Sequence, residues 1–124
     1  MNALLPLLMA AISQVESGGN AHAIGAHGET GPLQISTVCL ADVNRIQKQI
    51  EFTRSDTFDP MRAREIFRIY VEHYVTAARL GREPILSDYA ICWNSGPKIR
   101  RNAMTLLYWD KVKAELNKLG ETNL

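Results

Sequence analysis

The chain of 124 residues is short of cysteine, of aromatic side chains and of any marked excess of one charge sign. Its two cysteines, Cys39 and Cys92, lie far apart and form no CxxC unit, which excludes a disulfide framework. One bridge could join them, but two buried thiols are the expected state. A net charge of +1 excludes the basic excess of a dedicated nucleic-acid binder. The small cluster Lys98, Arg100 and Arg101 could meet an anionic polymer, but reads first as solvated surface. No apolar run reaches the ~20 residues that a membrane span needs. The opening segment, Met1 to Ala10, has an apolar stretch without a basic lead and runs unbroken into a helix, so it is expected to be mature structure rather than an export signal. Repeats, low-complexity tracts and linkers are missing as well.

What is present is an ordinary globular composition, 46% apolar and 22% charged. At this length one domain, 1–124, would bury roughly two-thirds of its unfolded surface. The periodicity is helical nearly throughout. A first helix is expected from Pro6 to Ser17, with Leu7, Leu8, Ala11, Ile12 and Val15 as its apolar stripe, ended by Gly18-Gly19. After a loop to Thr30, a second runs from about Ser36 to Gln49, with Val38, Ala41, Val43 and Ile46 among its apolar positions. Thr53 to Thr57 is a polar connection. Asp59-Pro60 opens the strongest helix, an N-cap followed by proline. One of its faces carries Ala63, Ile66, Phe67, Tyr70, Tyr74 and Ala78, and the other Glu65, Arg68 and Glu72; Gly81 ends it. A short helix from Ser87-Asp88 stops at Gly96-Pro97, and a last one, Asn102 to Leu119, buries Tyr108, Trp109, Val112, Leu116 and Leu119. The fold class is mostly α.

Three segments exceed the needs of helix design. Glu16-Ser17-Gly18 puts a carboxylate at the end of an apolar helix, on the margin of the buried stripe. Desolvation there disfavours its charged form and makes it a proton donor near neutral pH. Gly31-Pro32-Leu33-Gln34-Ile35 sets a lone amide among apolar neighbours. Trp93-Asn94-Ser95-Gly96-Pro97 sets an aromatic ring and an amide at a helix end. An acid, amides for hydroxyl and acetamido groups, and a ring to stack on a pyranose are what a sugar-cleaving cleft requires.

In this order the three segments resemble the lysozyme-like superfamily of lytic transglycosylases and goose-type lysozymes, of phage or bacterial type. There a catalytic Glu-Ser ends a helix and is followed by a Gly-Leu-Met-Gln-like motif and, after a long helix, a Tyr-Asn-Ala-Gly-like motif. Phe58-Asp59-Pro60, Arg64-Glu65-Ile66 and Ile69-Tyr70 look like the joining helix, so the resemblance spans about 11–97. Pro32-Leu33 stand for Leu-Met, a change expected to keep the cleft wall apolar. Trp93 stands for Tyr and keeps the stacking face without the phenol. Ser95 stands for Ala.

The resemblance implies a single lysozyme-like helical domain with a cleft, acting on peptidoglycan glycan strands in the periplasm, outside the cell or from a virion. Glu16 would protonate the oxygen between N-acetylmuramic acid and N-acetylglucosamine. As the conjugate base it would then take the proton of the sugar's own C6 hydroxyl, giving a 1,6-anhydro end. Ser17 would position Glu16 or the acetamido group, and Gln34, Tyr89, Trp93 and Asn94 would bind substrate. No cofactor or metal, no nucleic-acid partner and a monomeric state are expected.

Two other readings stand beside it. A lysozyme-type hydrolase would need a second carboxylate to activate water; Glu29 is the candidate, although its glycine-flanked position reads as solvated surface. A wall-binding or assembly protein could keep the cleft without turnover. His22 and His27 lack a third ligand at metal spacing and read as loop residues. His73 is expected on an exposed face, Asp88 in a helix start, and Cys92 as packing rather than a nucleophile.

Overall fold

In the computed structural model residues 3–120 are described; Met1 and Asn2, included in the opening segment read above, lie outside them. The described residues form six α-helices: α1 (Leu5–Ser17), α2 (Thr37–Gln47), α3 (Pro60–Tyr74), α4 (Ala77–Leu80), α5 (Leu86–Ser95) and α6 (Ala103–Lys118). A 3-10 turn, Arg54–Phe58, precedes α3. The protein is mostly helical, as its periodicity predicts. Extended pairing among the described residues is limited to bridges of Thr30 with Ile24 and Ile35.

Helix boundaries follow local chemistry. The Ser36 hydroxyl accepts from the Cys39 N–H to start α2, and Asp59 accepts from the Met61 N–H ahead of Pro60 to start α3. Gly18 ends α1 in the left-handed region, at φ 63°, where a Cβ would be strained.

The core joins Leu8 and Ile12 of α1, Val43 of α2, Ile66, Phe67 and Val71 of α3, Ile91 and Cys92 of α5, and Val112 and Leu116 of α6, all fully buried. Helix α1 packs chiefly on α6, α6 on α5, and α2 on α3. The end of α1 is thereby fixed beside the middle of α6.

Several faces differ from the periodic reading. On α1 the buried side takes Leu5 and Met9 and turns Leu7 out. On α2 Val43 alone is fully buried, while Val38 is 77% exposed and Ala41 also faces solvent. Leu119 is exposed beyond the end of α6, and Trp109 is only half-buried. The helix expected to run on to Gly81 breaks at Val75, leaving Ala78 exposed on α4. Val75 and Thr76 are both β-branched, the Thr76 hydroxyl caps a new turn by accepting from the Arg79 N–H, and the Arg79 side chain donates to the freed Tyr74 carbonyl at 3.1 Å. The polar connection before α3 is also more than a linker: Thr57 is buried and bonded to Thr30 at 2.5 Å.

Asp88 is likewise more than a helix-start residue. Its carboxylate is fully buried, accepting from both Arg82 and Arg101 at 2.8 Å and from the Ile85 N–H at 2.8 Å. It ties the two loops flanking α5 to that helix, and its pKa is held down at about 2, the bonds and charges outweighing the cost of burial.

Candidate functional site

Glu16 lies on the last turn of α1, half-buried, and its Oε2 accepts a hydrogen bond from the Tyr108 hydroxyl of α6 at 2.9 Å. Burial raises the Glu16 pKa from its ordinary value; the Tyr108 bond pulls it down, and the negative charge of Glu29 pushes it up again. The Tyr108 hydroxyl has its own pKa raised, by burial first and then by the facing carboxylate, so it remains a neutral donor. Tyr108 was legible only as a core aromatic; nothing local in the sequence connects it to Glu16.

The loop that follows α1 is pinned at both ends. The Ser17 hydroxyl lies 2.8 Å from the Pro32 carbonyl oxygen and 3.1 Å from that of Ser13. Its single proton therefore serves loop attachment, and Ser17 is absent from the cavity that Glu16 lines. Across the loop, the Thr57 hydroxyl donates to the Arg54 carbonyl at 2.6 Å, which leaves its oxygen to accept from Thr30. Gly31 packs so tightly here that a Cβ would fall 1.7 Å from the Thr57 carbonyl oxygen, and its φ of 82° suits glycine alone.

Gln34 sits between buried Leu33 and Ile35 with φ at 54°, a strained setting for a residue with a side chain. Its amide nitrogen donates to the carbonyls of Gly31 at 3.0 Å and Ala23 at 3.3 Å. The donor expected to hold substrate thus holds the loop, while the side chain still lines the cavity. Pro32 and Leu33, expected as apolar cleft wall, are buried and line a separate small cavity with Met9 and Arg64. Their carbonyls matter more: Pro32 accepts from Ser17, and Leu33 accepts from the Trp93 indole N–H at 3.1 Å.

Trp93 is also fixed by its rings, 4.7 Å from Phe67 and 5.8 Å edge-on from Tyr70 between centroids. It lines two cavities that share four residues. One, of about 250 Å³, is lined by Glu16, Glu29, Gln34, Ser36, Trp93 and Asn94. The other, of about 270 Å³, shares Gln34, Ser36, Trp93 and Asn94 and continues past Cys39, Asp42 and Tyr70. Asn94 is exposed, and its side chain makes no hydrogen bond within the described protein.

Tyr89 lies elsewhere. It is buried in α5 and lines neither cavity, because it stands four residues before Trp93 where α5 is covered on all sides. Glu29 differs in the opposite sense. Expected in solvent, it is half-buried in the Glu16 cavity, its Oε1 accepting from the His27 N–H at 3.0 Å. The bridges at Thr30 fold the loop back and carry Glu29 inward.

Cys39 and Cys92 are both free thiols, each pushed up to about 12 by burial, which makes them inert packing groups. His73 is exposed.

No family model matches the chain, and no protein of curated function matches it either.

Proposed function

We propose that this protein cleaves the β-1,4-linked glycan strand of peptidoglycan, with Glu16 as the acid that protonates the oxygen bridging N-acetylmuramic acid and N-acetylglucosamine. The observation that carries the reading is Glu16 itself: half-buried, raised in pKa, braced by Tyr108, and open to a polar cavity walled by Trp93 and Asn94. A carboxyl whose pKa burial raises is better suited to donate its proton as the C–O bond breaks. Asn94 offers an unengaged amide to sugar hydroxyl or acetamido groups, and Trp93 a rigid apolar face.

Glu29 supports a hydrolytic finish. It would take one proton of a water whose oxygen bonds to the anomeric carbon, while the leaving sugar keeps the proton from Glu16. The 1,6-anhydro product is what the resemblance to lytic transglycosylases implies; the solvent position expected of Glu29 added to that preference, and its place on the Glu16 cavity takes that addition away. The transglycosylase route, with Glu16 returning as base for the C6 hydroxyl, is the second reading; it is favoured by the half-buried Glu16 being able to act alone.

Purified peptidoglycan incubated with the protein, followed by mass analysis of released muropeptides, separates the cases. Reducing ends that carry oxygen from labelled water, lost in Glu29→Gln, support hydrolysis. Anhydro ends, retained in Glu29→Gln, support the transglycosylase. If the wild type releases nothing, or Glu16→Gln releases as much, the protein does not cut glycan and a binding role replaces the enzymatic one.

A further inference from the structure

Helix α6 has two working sides. Its inner side carries Tyr108, Val112 and Leu116 into the core, whereas its outer side leaves Met104 80%, Leu107 61% and Leu106 43% exposed. Met104, Leu107, Lys111, Ala114 and Lys118 follow one another at alternating spacings of three and four, so they form one continuous outward stripe. Its first half is apolar and its second half basic.

The surrounding charge is one-sided. Residues 98–118 hold six of the chain's fourteen Lys and Arg but only two of its thirteen Asp and Glu, although the whole chain is nearly neutral. Of those six, Arg101 is engaged by buried Asp88, and Lys118 by Glu115. Lys98, Arg100 and Lys111 have no ion pair among the described residues and are exposed. Asp110, and Glu115 through its pair with Lys118, are the acids of this segment.

We infer that the outer face of α6 docks peripherally on an anionic lipid surface, with Met104 and Leu107 entering the headgroup region and Lys98, Arg100 and Lys111 meeting phosphates. Unpaired cations at both ends of an apolar helical patch are the arrangement that combines burial with charge attraction at a membrane surface. The same cations oppose pairing with a second copy, since a two-fold contact through this patch would set them against each other. None of the cavities described draws a lining residue from 98–118. A face without such a pocket suits a fluid phase that moulds to it better than a protein partner that would need one to anchor in. No helix of the described protein is long and apolar enough to cross a membrane, so the contact is a surface one. The inference stands independently of the glycan-cleaving reading.

The test is co-sedimentation of the intact protein with vesicles of phosphatidylglycerol and phosphatidylcholine, against vesicles of phosphatidylcholine alone. Binding to the anionic vesicles is expected, with roughly tenfold weaker partitioning for Met104→Ser combined with Leu107→Ser. A similar loss is expected for Lys98→Gln with Lys111→Gln, and again in 1 M salt, where charge attraction reaches only about 3 Å. Ile50→Ser, which alters an apolar residue 88% exposed elsewhere, should bind as the wild type does. Absence of binding to anionic vesicles overturns the inference, as does equal binding to both compositions. So does binding within twofold of wild type by the Met104/Leu107 double variant, once circular dichroism shows native helix content. A reversible dimer at micromolar concentration that this double variant abolishes would assign the face to self-association instead.

Discussion

The hydroxyl of Tyr108 bonds Oε2 of Glu16 at 2.9 Å across 92 positions of sequence, joining the last turn of α1 to the inner side of α6. Burial and this bond act on Glu16 in opposite directions, and burial is the larger. The carboxyl is thus raised in pKa by its surroundings while one of its oxygens is held in place by Tyr108.

Replacing Tyr108 by Phe removes the bond while keeping the ring in the core. The Glu16 pKa should rise further, since the lost bond favoured the charged form, so the alkaline limb of the activity profile moves to higher pH. The rate at the optimum should fall on the order of tenfold, with a stability loss of about 1 kcal/mol. A pH–rate profile with a thermal melt checks both. An alkaline limb that stays where it was in the wild type would remove Tyr108 from the proton-transfer chemistry.

Replacing Glu29 by Gln should move the Glu16 pKa the other way, followed by NMR titration of the Glu16 carboxyl because this variant is expected to lose hydrolysis. Its charge raises the Glu16 pKa, and removing it lets that pKa fall. Shifts of opposite sign in Tyr108→Phe and Glu29→Gln would assign both residues to one titrating group.

Glu16→Gln should lower activity by about three orders of magnitude and yet stabilise the fold. A folded-state pKa raised above the unfolded value means that the folded chain holds the proton more tightly. That contribution is complete below the unfolded pKa, near 4.5, and is lost as pH rises through the folded pKa. The variant, which has no such loss, should melt above the wild type at pH 8 and close to it at pH 4. Melting curves at the two pH values decide the matter, and a variant that melts below the wild type at pH 8 contradicts the buried-acid account.

Asp88 gives the reverse dependence. Its pKa is depressed to about 2, so its stabilisation is present above the unfolded value near 3.8 and disappears as pH falls toward 2. Asp88→Ala should cost about 2 kcal/mol at neutral pH, below the range for a wholly buried pair because both arginines reach solvent. Asp88→Asn should flatten the acid limb of the stability curve between pH 4 and 2. Urea unfolding across that interval measures it; an unchanged slope would mean that other carboxylates govern acid unfolding.

Two glycines of the loop should respond differently to the same substitution. Gly31→Ala drives a methyl into the Thr57 carbonyl at a left-handed backbone position, and should cost more than about 3 kcal/mol or prevent folding. In Gly25→Ala the new methyl would lie 2.5 Å from Gln34 Oε1 and 2.9 Å from Glu29 Oε1, both ends of flexible side chains. The melting temperature should change little while activity falls, because two residues of the Glu16 cavity are displaced together. Equal effects on stability from both substitutions would show that the loop is not held as described.

Local chemistry in the sequence determined a good deal of this protein. Capping by Asp59, proline at the start of α3 and glycine after α1 act over a few residues, so they could be read without a fold. Helical periodicity placed most core positions for the same reason, and the acid, the loop amide and the Trp-Asn pair were visible as departures from it. Tertiary structure decided what those departures do. Packing of α1 on α6 gave Glu16 its partner in Tyr108, a contact with no local signature. Folding of the loop through Thr30 and Gly31 turned Glu29 inward, engaged Ser17 and Gln34 in holding the loop itself, and left Asn94 as the unengaged amide. Which polar group is free to meet a ligand depends on which hydrogen bonds are already made within the protein, and those bonds exist only once segments distant in sequence have been packed together.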